Sequence, residues 1–102
     1  MNVLFICSGG MSSAIAVDAL KKEAEKNGQE LHVKAIGSSE VEDEIKNGWN
    51  VCMVAPQIRH QFKKIEGIAQ TENIPCGQIP PNAYNPMGGK RMLETMNNTV
   101  DQ

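Results

Sequence analysis

The sequence lacks long apolar runs and a strong imbalance of charge. No stretch approaches the ~20 apolar residues that a transmembrane helix needs, and the run from Val3 to Ile6 is too short for a signal peptide. The formal net charge of the 102 residues is −2, so no binding to nucleic acid and no cationic membrane anchor is indicated. We therefore expect one domain over residues 1–102 that works in the cytoplasm without entering the membrane.

The sequence also lacks paired cysteines. Cys7, Cys52 and Cys76 are an odd number, with no C-x-x-C, which argues against a disulfide framework and for a reducing compartment. The two histidines are not spaced with the cysteines as a zinc site requires, so we expect no metal. Cys52 and Cys76 fall within apolar strands and are predicted to be core residues.

Apolar runs alternate with amphipathic segments along the chain, which predicts a three-layer α/β sandwich with a parallel sheet. Right-handed crossovers give the four strands the order 2-1-3-4. Ile15 is expected beside the core face of the first helix, and Ala35 is expected to point inward from the second strand. The predicted strands are 1–6, 30–36, 51–55 and 74–79, and the predicted helices are 14–25, 40–46, 57–69 and 87–98.

Cys7 comes at the end of the first predicted strand, directly before a loop of small residues and a helix. Backbone N–H groups in such a loop curl around anions, and the unpaired N–H groups of the helix start point the same way. The positive end of the helix dipole also favours the thiolate form of a cysteine. A nucleophile beside an anion cradle suits phosphoryl chemistry on sulfur. The predicted phosphate-binding residues are Ser8, Gly9, Gly10, Met11, Ser12 and Ser13.

The strand order reverses between the first and third strands, and ligands bind outside the carboxyl ends of strands at such a point. Gln57 follows the third strand there, and the loop with Tyr84 reaches the same edge. We expect Met11, Gln57 and Tyr84 to contact a partner or substrate. Arg59 and His60 are expected to be solvated surface.

Three motifs resemble one known family, the enzyme IIB component of the bacterial sugar phosphotransferase system in its lactose, cellobiose and chitobiose branch. The run from Cys7 to Ser13 resembles the phosphorylation loop of that family, Cys-Ser-x-Gly-Met-Ser. The run from Ala55 to Arg59 resembles its Gly-Pro-Gln turn, with Ala55 in place of glycine. Tyr84, Met87 and Gly89 match its Tyr-Gly-x-Met-x-Gly segment, in which Asn85 replaces a glycine and Pro86 follows.

The resemblance implies a cytosolic phosphoryl carrier. A phosphohistidine of enzyme IIA gives its phosphoryl group to Cys7, and the phosphocysteine passes it to a sugar bound by the membrane enzyme IIC. Phosphoryl transfer has a loose transition state, so positioning and charge stabilisation suffice. The group is held covalently, so no cofactor is implied, and we expect a monomer.

Two alternatives stay open at the level of sequence. A low-molecular-weight tyrosine phosphatase or arsenate reductase-like enzyme would have Cys-x5-Arg, whose arginine clamps phosphate; Ser13 stands at that position here. A non-catalytic regulatory module of the same fold would bind a partner or an anion without passing on a phosphoryl group.

Overall fold

Four parallel strands form one sheet in the computed structural model, which describes residues 1–8 and 13–101, with only the backbone of Ser13. The sheet order is β2-β1-β3-β4, so the predicted order is confirmed. The strands are β1 (Asn2–Cys7), β2 (His32–Gly37), β3 (Val51–Val54) and β4 (Cys76–Gln78).

In the described part of the chain, four helices cover the two faces of this sheet. They are α1 (Ser13–Lys26), α2 (Val41–Glu44), α3 (Phe62–Gln70) and α4 (Gly89–Val100), and 3₁₀ turns span Ser38–Glu40, Pro56–Gln61 and Pro81–Ala83. Within residues 1–8 and 13–101, each helix is too short or too polar to cross a bilayer.

The central strand β1 supplies both cores because successive side chains of a strand point to opposite faces. Val3, Phe5 and Cys7 pack with α1 and α4 on one face, whereas Leu4 and Ile6 pack with α2 and α3 on the other. Its parallel neighbours β2 and β3 pair with it on both sides. A strand buried on both faces is continuously apolar, as this one is.

Two residues expected to be buried are exposed. Ile15 is 56% exposed because the buried stripe of α1 runs along Ala16, Leu20 and Ala24, and Ile15 lies at the border of that stripe. Ala35 is exposed on the outer strand β2, in which Ile36 is the one buried residue. The prediction that these two residues contribute to the core is therefore wrong.

Helix boundaries also differ from the prediction: α2 ends at Glu44 and α4 begins at Gly89, and two further differences have a clear physical origin. The third helix is interrupted, because Ile58 has φ −117° and ψ 26°, so a 3₁₀ turn precedes α3. Pro56 has no N–H and begins that turn, whose apolar spacing matches that of a continuous helix. The last helix continues to Val100, because Val100 and Thr99 stay partly buried against the sheet.

Candidate functional site

Cys7 is the last residue of β1, and only 5% of its surface is exposed. It pairs in register with Gly37, the last residue of β2. Its Sγ donates a hydrogen bond to the carbonyl oxygen of Ile36 at 3.5 Å. The thiol is therefore held at the carboxyl edge of the sheet by the neighbouring strand. Ser8 follows as an exposed bend.

The ends of β1 and β3 are aligned at this edge. The backbone N–H of Ala55 donates to the carbonyl oxygen of Ile6 at 2.8 Å, directly before Cys7. The chain turns at Pro56, so the residues after β3 leave the sheet beside the thiol. The switch point between β1 and β3, predicted from topology, is thus the place where Cys7 lies.

An open groove of about 640 Å³ lies at the same edge of the sheet. It brings together the 3₁₀ turn after β3 and the loop after β4. Gln57 and Tyr84, the two contact residues predicted outside the first loop, both line it. Arg59 and His60 are exposed as predicted, but they line the groove as well. The remaining lining residues are Pro56 and Pro81.

A smaller apolar cavity of about 270 Å³ joins this groove to the start of α1. Gln57 and Tyr84 line both cavities, and Ile15 and Pro86 lie on the far side of the smaller one. Met87, which follows Pro86, is 92% exposed. Ile15 and Met87 thus leave apolar surface open to solvent next to the smaller cavity.

Tyr84 contributes to the core as well as to the groove. Its ring centroid lies 6.0 Å from that of Phe5, with the planes tilted by 30°. Phe5 and Cys7 point to the same face of β1, so Tyr84 packs on the core face that includes the thiol. A packing role and a contact role for Tyr84 are therefore compatible.

Asn85, which stands where the family pattern has glycine, organises the loop that holds Tyr84. Its Oδ1 accepts a hydrogen bond from the N–H of Met87 at 2.8 Å, and its Nδ2 donates to the carbonyl oxygen of Asn82 at 3.0 Å. An Asn side chain mimics a backbone turn in this way. The loop is thus fixed by side-chain hydrogen bonds, without need for glycine at this position.

The other two thiols are not suited to nucleophilic chemistry. Burial raises the pKa of the Cys52 thiol to about 12. Burial, followed by the proximity of Cys52 and Glu66, raises the pKa of the Cys76 thiol to about 12. Cys52 is fully buried and Cys76 is half-buried, both on the sheet face opposite Cys7. The prediction that they are core residues is confirmed for Cys52 and holds in part for Cys76.

Part of the predicted site lies outside the described residues. Gly9, Gly10, Met11 and Ser12, and the side chain of Ser13, belong to this part, so their phosphate-binding and partner roles stay predictions. Among residues 1–8 and 13–101, no group of three His, Cys, Asp or Glu side chains is placed to hold a metal ion. The sequence reasoning missed the exposure of Ile15 and the place of Arg59 in the groove. The Gly-Pro-Gln-like turn was the available signal for Arg59.

The fold and a strand-end thiol define a class of small α/β proteins, and comparison with known proteins gives the family. Residues 2–95 match the family model described as "PTS system, Lactose/Cellobiose specific IIB subunit". The chain belongs to this family. It is therefore a phosphoryl carrier of a sugar phosphotransferase system, and its reaction class is phosphotransferase.

Individual relatives agree with this assignment. The chain is 26% identical over 93 residues to the oligo-beta-mannoside-specific EIIB component of Bacillus subtilis (strain 168), covering 91% of this chain and 89% of that protein. It is 32% identical over 73 residues to the lactose-specific EIICB component of Streptococcus mutans, covering 72% of this chain and 12% of that protein. The solution structure of a cellobiose-specific IIB component from Borrelia burgdorferi is similar with a TM-score of 0.76 and 28% identity, covering 99% and 92% of the two chains.

Proposed function

We propose that Cys7 Sγ accepts a phosphoryl group from a phosphohistidine of enzyme IIA and gives it to a sugar bound by the membrane enzyme IIC. The observation that supports this role is the position of Cys7 at the carboxyl end of β1, where the strand order reverses. The other two thiols point to the opposite face of the sheet, and burial keeps them protonated. Cys7 is thus the thiol suited to the carrier role.

In the first half-reaction the N–P bond of phosphohistidine breaks and an S–P bond forms on Cys7. The thiol proton ends on the released imidazole. The carbonyl oxygen of Ile36 now accepts that proton in a hydrogen bond at 3.5 Å. A phosphorylated sulfur has no proton to donate, so the side chain must turn away from Ile36 toward the loop that follows. Backbone N–H groups from Ser8 to Ser13 would then hold the phosphoryl oxygens.

In the second half-reaction the S–P bond breaks and an O–P bond forms on the sugar. The sugar hydroxyl loses its proton and the sulfur regains one, which restores the starting thiol. No further cofactor takes part, because the group is covalently bound between the two steps. Between the two steps the S–P bond must resist attack by water. A loop with Ser13 at the sixth position after Cys7, where a phosphatase has arginine, holds the group without promoting hydrolysis.

The partners and the place of action follow from the same assignment. The name of the EIICB relative combines both components, which supports the pairing of this chain with an enzyme IIC. The relatives are named for oligo-beta-mannosides and lactose, which supports a β-linked or lactose-like sugar. A carrier that moves between enzyme IIA and the inner side of a membrane protein works as a monomer in the cytoplasm.

Intact-protein mass spectrometry tests the role of Cys7. The protein is incubated with phosphoenolpyruvate, the general phosphotransferase proteins and a lactose- or cellobiose-type enzyme IIA. We expect one phosphoryl group on the wild type and on Cys76→Ser, and none on Cys7→Ser. Cys76→Ser is a matched control because it removes a strand thiol on the opposite face.

Phosphorylation of Cys7→Ser at the wild-type level would refute the assignment. So would an unmodified wild type in the presence of a donor chain shown to be active. That second result would favour a regulatory module of this fold. Rapid turnover of an aryl phosphate would favour the phosphatase alternative.

A further inference from the structure

We propose that Arg59 is the electrostatic docking residue for the phosphohistidine donor. Arg59 lines the groove at the sheet edge where Cys7 lies, and its guanidinium group attracts the anionic phosphoryl group that enzyme IIA presents. It therefore speeds the donor half-reaction and leaves the sugar half-reaction unchanged. This inference rests on the proposed function and goes beyond it by assigning one positioning residue to one of the two partners.

Among residues 1–8 and 13–101, the lining of the groove at the sheet edge that holds Cys7 includes one arginine and no acidic residue. Arg59 and His60 line it together with the neutral side chains of Gln57, Tyr84, Pro56 and Pro81. A cleft lined by charges of one sign focuses the field and raises the local concentration of an oppositely charged group. The groove therefore favours the binding of an anionic group.

Arg59 is available to bind such an anionic group. Among residues 1–8 and 13–101, ion pairs form between Lys22 and Asp18 and between Lys34 and Glu44, and neither involves Arg59. Its side chain is exposed to solvent. A guanidinium group offers five donors in a planar fork that matches a phosphoryl group. The charge is thus not neutralised by a neighbour within the described part of the chain.

The 3₁₀ turn after β3 holds Arg59 in place relative to Cys7. The turn contacts β1, and Ala55 at its start is bonded to Ile6, the residue before Cys7. Ile58 is buried in the core and its N–H donates to the carbonyl oxygen of Ala55 at 3.2 Å. Arg59 comes directly after this anchor, so its backbone is fixed at the edge that presents the thiol.

The first loop gives a physical reason for a cation at this place. No lysine or arginine lies between Cys7 and Lys21, and the chain has a net charge of −2. The donor brings a strongly anionic phosphoryl group toward this surface, whereas the acceptor sugar is neutral. Charges at the rim of an interface mainly change the association rate and its salt dependence. The effect of Arg59 should therefore fall on the encounter with the donor.

The test compares Arg59→Gln, Arg59→Lys and Arg91→Gln with the wild type. Arg91 is the only other arginine of the chain and lies exposed on α4, away from the groove lining, so Arg91→Gln makes the same change of charge. Phosphoryl transfer from phosphorylated enzyme IIA is measured by rapid quench at about 0.01 M and about 1 M ionic strength, where the Debye length is about 30 Å and about 3 Å. Transfer of the phosphoryl group from Cys7 to the sugar is measured separately, with phosphorylated protein and membranes that contain the matching enzyme IIC.

We expect Arg59→Gln to lower kcat/KM for the donor step by about tenfold at low salt, through KM rather than kcat. The difference should vanish at high salt. Arg59→Lys should recover most of the rate, and Arg91→Gln should match the wild type. The rate of transfer to sugar should be the same for all four proteins.

This inference would be overturned if Arg59→Gln and Arg91→Gln accepted the phosphoryl group from enzyme IIA at equal rates. The proposed function would stay intact in that case, provided that the wild type is phosphorylated on Cys7. An equal loss in both half-reactions would also overturn the inference, since that result assigns Arg59 to the shared phosphocysteine. A wild type that takes no phosphoryl group would overturn the proposed function itself.

Discussion

The packing of α4 on the sheet gives a prediction that the structure makes quantitative. Gly77 is the middle residue of β4, and Thr99 of α4 lies directly over it. A Cβ added at Gly77 would overlap Thr99 Oγ1 and would lie 3.1 Å from Thr99 Cγ2. Thr99 does not turn freely, because its hydroxyl donates to the carbonyl oxygen of Thr95 at 2.8 Å. Gly77→Ala must therefore displace Thr99 or lift α4.

The expected cost follows from two opposing effects. Overpacking of a core costs about 1–3 kcal/mol, whereas replacing a strand glycine by alanine recovers roughly 0.5–1 kcal/mol. The difference spans about 0–2.5 kcal/mol. The overlap with Thr99 Oγ1 favours its upper part, so we expect Gly77→Ala to lower the free energy of unfolding by about 1–2 kcal/mol. Thr99→Ala alone should lie within about 0.5 kcal/mol of the wild type, because alanine is the better helix former and the lost bond is local to the helix.

The double variant isolates the contact. Thr99→Ala removes the two atoms nearest to the added methyl group, Oγ1 and Cγ2, and keeps the Cβ at 3.2 Å. The cost of Gly77→Ala should then fall by about 1 kcal/mol or more, which is the coupling of two residues in contact. Urea unfolding followed by far-UV circular dichroism and by the fluorescence of Trp49, the single tryptophan, measures all four proteins.

Gly67 is a matched control for the same substitution. It lies within α3, and a Cβ added there meets no atom within 4 Å. Gly67→Ala should raise the free energy of unfolding by about 1 kcal/mol, the difference in helix propensity. An identical cost of Gly77→Ala with threonine or alanine at position 99 would refute the reasoning, because the contact with Thr99 is then not its origin.

Two further predictions concern the loop beside the site and the buried thiols. Asn85→Ala should lower the free energy of unfolding by about 1–2 kcal/mol because it removes the hydrogen bonds to Met87 and Asn82. Thermal unfolding measures this loss, with Asn98→Ala on the exposed face of α4 as the control. An equal loss in Asn98→Ala would contradict the prediction. Cys52 and Cys76 should resist a thiol reagent in the folded protein, and stability should fall as the pH rises from about 9 toward 12. Over that range unfolded thiols ionise, whereas the folded ones stay protonated because their pKa values are raised from 9.0 to about 12, so the unfolded state binds fewer protons. Urea unfolding across the range checks the trend, and a stability that rises with pH there would contradict it.

The strand order and the location of the thiol were predictable because both depend on patterns that the chain repeats. The apolar runs that became β1 and β3 have no polar interruption, which only a strand buried on both faces requires. Alternation with helices then leaves few topologies, and the handedness of crossovers selects one. Cys7 follows the first of those runs directly, so the predicted topology also predicts its position at the carboxyl edge of the sheet.

The details of the groove were not predictable for the opposite reason. A 3₁₀ turn and an α-helix have similar apolar spacing, so the interruption at Ile58 left no mark on the pattern. Ile15 lies at the border of the buried stripe of α1, so its exposure depends on how far the loop with Asn85 and Pro86 extends over it, which is a tertiary contact between residues far apart in sequence. The role of Asn85 depends on hydrogen bonds across its own loop. Each of these features needs positions in space rather than spacing along the chain.

The same strand gives the protein its stability and presents its reactive group, and this limits how the site can vary. Phe5 is fully buried two residues before Cys7 and contacts the ring of Tyr84, which lines the groove. A change at Phe5 or Tyr84 would therefore alter the core and the site together. Arg59, Ile15 and Met87 lie on the exposed rim, where a substitution removes no core contact. Variation in partner recognition is thus expected to concentrate on the rim, while the strand behind the thiol stays fixed by packing.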